Sequence, residues 1–183
     1  RSIAKTLAEA GADLVIAAAS DGESARETAS NAREMGRRAE AVVGDLRDAA
    51  TAAVYVEACR RAFGRLDILV NNAGVTHLPQ PLEDVSEADF DRIVAVNMKA
   101  IYLAMREAVP RFKAAKRGVV LNMASTAGVS PRPRLAWYNA SKGWVITATR
   151  ALAVELAPFG IRVVALNPVA GETPLLKTFM GED

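Results

Sequence analysis

The sequence predicts an α/β fold: a doubly wound parallel sheet in three α/β/α layers. Three observations support this. Helical and strand patterns alternate along all 183 residues, the strand segments are short and apolar, and no linker, repeat or low-complexity segment divides the chain. Strands that alternate with helices of ten or more residues are typical of parallel sheets with helices on both faces. We therefore expect a single domain over residues 1–183.

The first half of the chain contains three strand segments and the helices between them. A helix that ends at Gly11 leads into a buried strand over residues 12–18. The later segments follow the same alternation: helix 23–36, strand 39–45, helix 48–64 and strand 66–74.

The second half contains two long helices, each followed by a strand. Ser86 is predicted to cap the first helix, residues 86–116, in which Pro110 should cause a kink or a break. Asn97 lies in an apolar part of this helix, where an amide should compete for backbone bonds and deform it. The other segments are strand 118–125, helix 136–160 and strand 161–168.

Composition excludes several classes of function. A net charge of +2 gives no basic stripe of the kind that binds nucleic acid. No apolar run reaches the ~20 residues of a membrane span, so no membrane partner is expected. Cys59 is the only cysteine, which excludes an internal disulfide and favours a cytoplasmic location, and His77 has no second metal-type ligand nearby, so no metal site is expected.

The stretch "WYNASK", residues 137–142, places a phenol and an ammonium on one face of a helix. If Tyr138 lies in the first turn, the charge of Lys142 and the helix dipole should lower the pKa of the phenol. A phenol with a lowered pKa could exchange a proton near neutral pH. Tyr138 is therefore predicted to be a general acid in reduction and a general base in oxidation.

Four features in this order resemble the short-chain dehydrogenase/reductase family, and the resemblance covers essentially the whole chain. They are "NNAG" at 71–74, Asn97 in "VNMKA", Ser125 in "NMAS" and "YNASK" at 138–142. Within the family the chain is most similar to 3-oxoacyl-[acyl-carrier-protein] reductase and glucose dehydrogenase-like members. The resemblance implies a Rossmann-like fold and an NAD(P)-dependent oxidoreductase acting on a carbonyl or secondary alcohol.

The resemblance also implies roles for individual residues. Ser125 would hydrogen-bond the substrate oxygen, Lys142 would contact the nicotinamide ribose, and Asn97 would hold a water that links Lys142 to solvent. With Tyr138 these form the expected catalytic set. The expected cofactor-binding residues are Ser20, Asp45, Leu46, Asn72, Ala73, Gly74, Tyr138, Lys142, Pro168 and Thr173.

The sequence departs from the family pattern at three places. The first strand with its glycine-rich turn and the last strand are not present in the given chain, so we expect residues 1–183 to be a fragment whose sheet does not close. After the sixth strand the family commonly has Pro-Gly, whereas this chain has Pro168-Val169.

The cofactor-selecting strand ends in "VIAAASDG". Family members that prefer NAD usually carry an acid near Ala18, and many that prefer NADP carry arginine near Ala19. This chain has neither, and Ser20 could donate a bond, so NADP(H) is slightly favoured over NAD(H). Asp21 is the counter-argument.

Substrate and partners are less specified. Arg132 or Arg134 could bind an acidic or carrier-linked substrate, or could lie in a solvated loop. Trp137 could form a wall of the pocket or pack against it. The helices at 87–115 and 137–158 suggest a homodimer or homotetramer. A dinucleotide-binding redox sensor and a lyase or epimerase of the same family remain alternatives to the oxidoreductase.

Overall fold

Two parallel sheets form the centre of the computed structural model, which describes residues 1–19, 21–169, 171 and 174–180. The first sheet pairs β1 (Leu14–Ala18) with β2 (Ala39–Val43). The second has the order β3-β4-β5, with β3 (Ile68–Asn71), β4 (Gly118–Met123) and β5 (Ile161–Leu166). Every pairing is parallel. These orders correspond to strands 3-2 and 4-5-6 of the doubly wound order 3-2-1-4-5-6, so the predicted fold class is confirmed.

Helices precede, connect and follow the strands. They are α1 (Ser2–Glu9), α2 (Gly22–Glu34), α3 (Ala49–Phe63), α4 (Glu87–Val94), α5 (Ala100–Ala115), α6 (Ala136–Leu156) and α7 (Pro174–Met180). Side-chain caps define three of the starts: Asp21 accepts from the N–H of Ser24, Asp48 from that of Ala50, and Ser86 from that of Asp89. Of the helices that the structure describes, none has the length and apolar character needed to cross a membrane.

The predicted helix over residues 86–116 is interrupted at Asn97 and not at Pro110. A π-helical turn, Ala95–Lys99, separates α4 from α5 and contains the buried Asn97. This is the deformation that an amide in an apolar helix should cause. Of the kink or break expected at Pro110, the break is wrong, because α5 continues through this residue. Pro110 is exposed, so the carbonyl that loses its helical partner can be hydrated.

Two separate hydrophobic clusters stabilise the two sheets. The larger one lies between the β3-β4-β5 sheet and the helices α5 and α6, and Phe112 and Val120 at its centre are fully buried. The smaller one, which we call the alanine cluster, consists of Ala8, Leu14, Ala29, Ala32 and Ala39. Helix α3 connects the two halves of the fold, because it packs against β1 and β2 of the first sheet and against α5, which covers the second sheet.

A chain of polar side chains fixes β4 between its neighbours. Asn71 Nδ2 donates to Asn122 Oδ1 at 2.8 Å, and these two residues are also register partners of β3 and β4. Asn122 Nδ2 then donates to Thr149 Oγ1 of α6 at 2.9 Å. Because buried amides require such partners, the chain sets the position of α6 against the carboxyl ends of these strands.

Candidate active site

A cavity of about 270 Å³ lies at the carboxyl ends of β3 and β4. This is the edge at which ligands bind in open parallel sheets. Ser125, Tyr138 and Lys142, three of the four residues predicted to be catalytic, line it together. The structure brings these three side chains together at one place.

Tyr138 reaches the cavity from the first turn of α6, as predicted from its place in the sequence. The helix begins at Ala136, and the ring of Tyr138 is 4% exposed. Phe179 of α7 packs edge-on against this ring, with 4.9 Å between the ring centroids. No local signal in the sequence pointed to Phe179, because its contact with Tyr138 is made only through the tertiary fold.

The pKa of Tyr138 differs from the sequence-based expectation. Burial raises the pKa of the phenol, since the charged form loses hydration, while hydrogen bonding by Ser125 and the charge of Arg132 partly oppose the rise. The expected lowering of the pKa of Tyr138 is therefore wrong for this structure, because burial outweighs the contributions that oppose it. The consequence is a phenol that holds its proton at neutral pH and can act as a donor.

Lys142 is a buried cation with unused hydrogen-bonding capacity. The residue is 5% exposed, and its Nζ donates to the carbonyl of Met123 at 2.8 Å. An ammonium has three donors, so two remain for a ligand among the contacts that the structure describes. Burial lowers the pKa of Lys142 to about 8. Its Nζ lies 5.8 Å from the centroid of the Tyr138 ring.

Asn97 does not line the cavity but holds the elements that do. Its Oδ1 accepts from the N–H of Val75, and its Nδ2 donates to the carbonyl of Val75 and to Ser141 Oγ. Ser141 in turn donates to the carbonyl of Tyr138 at 2.7 Å. Sequence reasoning missed Ser141, although its place three residues after Tyr138 on one helix face could have indicated it.

The predicted cofactor-binding residues fall into three groups. Those that line the cavity are Asn72, Gly74, Tyr138, Lys142 and Pro168. Those that do not line it are Asp45, Leu46 and Ala73; Asp45 lies beyond the end of β2 and forms an ion pair with Arg47. Ser20 and Thr173 lie outside the described residues.

Gly74 leaves room beside the Lys142 ammonium. Its φ lies outside the left-handed region, so the backbone does not require glycine there. A Cβ at this position would lie 3.4 Å from Lys142 Nζ and 3.7 Å from Asn97 Oδ1. The space next to the free donors of Lys142 fits a sugar hydroxyl, so the residues present are compatible with the ribose of a nicotinamide cofactor.

Three other residues discussed in the sequence analysis, Trp137, His77 and Cys59, do not line the cavity. Trp137 packs edge-on against Phe90, with ring centroids 5.2 Å apart, and does not line the cavity. His77 is 2% exposed, and its Nδ1 lies 2.7 Å from the carbonyl of Leu78. Burial raises the pKa of Cys59 to about 11, which leaves an unreactive thiol. In the described ranges, no group of three or more His, Cys, Asp or Glu side chains is arranged to hold a metal.

Comparisons with known proteins identify the family to which the chain is similar. A family model described as "short chain dehydrogenase" matches residues 1–182. The 4-formylbenzenesulfonate dehydrogenase of Comamonas testosteroni is 41% identical over 180 residues, which are 98% of this chain and 71% of that protein.

Two solved structures are similar in fold and sequence. The 3-ketoacyl-(acyl-carrier-protein) reductase from Brucella melitensis, complexed with NADH, has a TM-score of 0.92 and 51% identity, over 98% of this chain and 74% of that one. A metagenomic short-chain oxidoreductase in complex with NADP has a TM-score of 0.86 and 36% identity, over 92% of this chain and 76% of that one.

Proposed function

Because the chain belongs to the short-chain dehydrogenase family, we propose that it is an oxidoreductase that transfers a hydride between a nicotinamide cofactor and a carbonyl or secondary alcohol. One observation carries the proposal: Ser125, Tyr138 and Lys142 line the same cavity at the carboxyl edge of the sheet. Named relatives include dehydrogenases of an aromatic sulfonate and of a 3β-hydroxysteroid. We propose a small carbonyl or alcohol, free or carrier-linked, as the substrate.

The side chains of the cavity divide the work of a reduction. When bound, the reduced nicotinamide supplies a hydride to the carbonyl carbon and becomes oxidised. The Tyr138 hydroxyl donates its proton to the carbonyl oxygen, which completes the alcohol. The Ser125 hydroxyl donates a hydrogen bond to the same oxygen as negative charge develops there, and the Lys142 ammonium stabilises the phenolate that Tyr138 becomes. In oxidation the proton and the hydride move in the reverse direction, and Tyr138 accepts the proton.

The Tyr138 phenol is protonated at neutral pH, as the donor role requires. The buried ammonium of Lys142 opposes the cost of forming the phenolate, since it lies on the neighbouring turn of α6. Asn97 acts indirectly. It donates to Ser141 Oγ, which donates to the carbonyl of Tyr138, and this fixes the helical turn that carries Tyr138 and Lys142. A water between Asn97 and Lys142 remains part of the proposal.

Replacement of the phenol tests the assignment. Tyr138→Phe should lower kcat by about 10² to 10⁴-fold while leaving the Kd for the reduced cofactor within about twofold. Tyr102→Phe is the matched control, because Tyr102 lies on α5 and is 55% exposed. Consumption of reduced nicotinamide is followed by its absorbance. If Tyr138→Phe kept half or more of the wild-type turnover, Tyr138 would not be the proton donor and the assignment would fail.

A slight preference for NADP(H) is the finer proposal about the cofactor. Asp21 was the counter-argument in the sequence, but its carboxylate caps α2 by accepting from the N–H of Ser24 at 2.8 Å. Asp45 is likewise engaged by Arg47, whose NH2 lies 2.6 Å from Oδ2. The charge of Asp45 is thus offset by a guanidinium, and the carboxylate of Asp21 is turned toward the start of α2. Ala18→Asp should therefore shift the ratio of kcat/KM values toward NADH, and an unchanged ratio would contradict the proposal.

We also propose that residues 1–183 belong to one dinucleotide-binding and catalytic domain, and that the protein forms a homodimer or homotetramer in the cytoplasm. Helices α5 and α6 expose large apolar side chains, among them Tyr102 at 55% and Val154 at 78%. Exposed apolar groups on neighbouring long helices favour a contact between subunits. Analytical ultracentrifugation of Val154→Glu should show a smaller assembly than the wild type. Cell fractionation tests the location.

A further inference from the structure

One arginine of the loop between Ser125 and Tyr138 reaches the cavity, and a second arginine of the same loop does not. Arg132 is among the residues that line the cavity, together with Ser125 and Tyr138. Arg134 is not among them, although both arginines are exposed. The two candidates that the sequence leaves equal are therefore distinguished by position.

The backbone of this loop is held at both arginines. Asn139, which follows Tyr138 in α6 and is 7% exposed, donates from Nδ2 to the carbonyl of Arg132 at 2.7 Å. On the other side, the N–H of Gln80 donates to the carbonyl of Arg134 at 3.0 Å. Arg132 is thus anchored to the same helical turn that carries Tyr138, so its guanidinium emerges from a fixed point on the rim of the cavity.

The charge of Arg132 is uncompensated in the part of the chain that the structure describes. No ion pair or side-chain hydrogen bond of its guanidinium is formed with the residues of these ranges, whereas most other arginines are paired with acids there. No aspartate or glutamate is among the described lining residues either, while Lys142 adds a second positive charge. A cavity with two cations and no lining carboxylate favours a ligand with negative charge.

Apolar side chains cover the wall near Tyr138. Leu135, Val169, Leu176 and Phe179 all line the cavity. Its volume of about 270 Å³ is slightly below the roughly 300 to 1,000 Å³ that is usual for ligand sites. Such a wall suits the ring or short chain of a small molecule. The guanidinium is also close enough to Tyr138 for its charge to act on the phenol.

We propose that Arg132 binds the anionic end, a carboxylate or sulfonate, of a small substrate whose carbonyl is reduced at Tyr138, with the apolar body of the substrate against Leu135 and Phe179. The guanidinium fork matches the paired oxygens of either group. This inference rests on the proposed function and adds a substrate class to it. Arg132 is the residue that determines specificity, and Lys142 remains with the cofactor and Tyr138.

Paired probes that differ only in charge test the inference. The first pair is 4-formylbenzoate and 4-formylbenzamide, and the second is 4-oxocyclohexanecarboxylate and its carboxamide. In the wild type, kcat/KM should favour each carboxylate. Arg132→Gln should lower kcat/KM for the carboxylates by about 10 to 100-fold, chiefly through KM, and leave the carboxamides within about twofold.

Arg134→Gln is the matched control, since it removes the same charge from the same loop outside the cavity. Arg134→Gln should change kcat/KM for each probe by no more than about twofold, because the charge of an exposed side chain outside the cavity is screened by solvent and salt. Equal losses for Arg132→Gln and Arg134→Gln would overturn the inference, because they would show a non-specific electrostatic effect of the loop's positive charges and not a binding site at Arg132. An absence of any preference for carboxylates in the wild type would overturn it as well.

Two further measurements separate this inference from the proposed function. The first is calorimetric titration of 4-formylbenzoate into the full chain, which needs no turnover. Binding that is lost in Arg132→Gln supports the anion site even if no carbonyl is reduced, in which case only the oxidoreductase assignment fails. The second uses a 3-oxoacyl thioester of N-acetylcysteamine: turnover that is faster with this neutral compound than with any carboxylate would overturn the anion site and favour a carrier-linked substrate.

Discussion

The side-chain amide of Asn97 binds both backbone polar groups of Val75, with Oδ1 2.8 Å from the Val75 nitrogen and Nδ2 3.0 Å from its carbonyl oxygen. The side chain thus imitates a neighbouring strand at the point where the chain leaves β3. Its third bond, to Ser141 Oγ, ties the same point to α6. One amide in a π-helical turn therefore connects the two walls of the cavity.

Asn97→Asp should destabilise the fold by about 3 kcal/mol. A carboxylate cannot donate to the carbonyl of Val75 or to Ser141 Oγ, and the position is 1% exposed, so two hydrogen bonds would be lost and a charge would be buried. Urea unfolding measures the change. Asn31→Asp is the control, because Asn31 lies exposed on α2 and should change stability by less than about 0.5 kcal/mol. Equal changes in the free energy of unfolding for the two substitutions would show that the hydrogen bonds of Asn97 do not stabilise the fold.

Lys142→Met should make the protein more stable and inactive. Burial lowers the pKa of Lys142 from 10.5 to about 8, so the unfolded chain binds this proton more tightly than the folded one. At neutral pH the wild type bears the full cost of the buried charge, and the variant should gain on the order of 2 kcal/mol after losing the bond to Met123.

The sign of the pH dependence follows from the same shift. Between pH 8 and 10.5 the unfolded state holds more protons than the folded state, so the stability of the wild type rises with pH across this window. The advantage of Lys142→Met should therefore shrink over that range. Thermal unfolding at a series of pH values measures it, and an advantage that stays constant would contradict the burial of the charge.

Thr149→Val should destabilise the fold by about 1 to 3 kcal/mol. Valine keeps the shape of threonine but leaves Nδ2 of the buried Asn122 without its acceptor. Thr147→Val is the matched control, two residues away on the same helix and exposed, and it should be neutral within about 0.5 kcal/mol. Similar midpoints for both variants in chemical denaturation would mean that the polar chain does not secure α6.

Gly128→Ala should cost more than about 2 kcal/mol and lower turnover. Its Cβ would lie 2.6 Å from the carbonyl carbon of Lys142 and 2.7 Å from the nitrogen of Gly143, and backbone atoms cannot move aside as a flexible side chain can. The turn after Ser125 would be pushed away from α6. Gly143→Ala probes the same contact from the helix, where its Cβ would meet Gly128 at an ordinary 3.5 Å.

The control should be neutral or stabilising by up to about 1 kcal/mol, because alanine replaces glycine inside a helix. Differential scanning calorimetry and steady-state kinetics on both variants give the comparison. A Gly128→Ala protein as stable as Gly143→Ala would show that the turn and the helix are not in close contact.

Local patterns in the sequence were sufficient for most of the fold, and the resemblance to a family singled out Ser125, Tyr138 and Lys142. The helical spacing of Tyr138 and Lys142 and the strand before Ser125 depend on neighbouring residues alone, and parallel topology brings their ends to one edge. The direction of the Tyr138 pKa was not predictable, because it depends on burial that the tertiary fold creates.

Long-range contacts explain the other differences. Phe179 reaches Tyr138 from a distant part of the sequence, and the choice between Arg132 and Arg134 depends on where the loop passes the cavity. Pro110 was expected to interrupt its helix on propensity alone, but its exposed position makes the lost hydrogen bond tolerable. Each outcome was decided by surroundings that no short window of sequence contains.

The two hydrophobic clusters should differ in the temperature at which they open. Methyl groups supply most of the alanine cluster, whereas Phe112, Ile161 and Leu156 fill the other core, and burial of large side chains contributes more per residue. The layer that contains Ala18 and Asp45 should therefore open at a lower free energy, visible as earlier amide exchange in β1 and β2. On warming, discrimination between the two nicotinamide cofactors should fade at a temperature at which Tyr138 is still held in place.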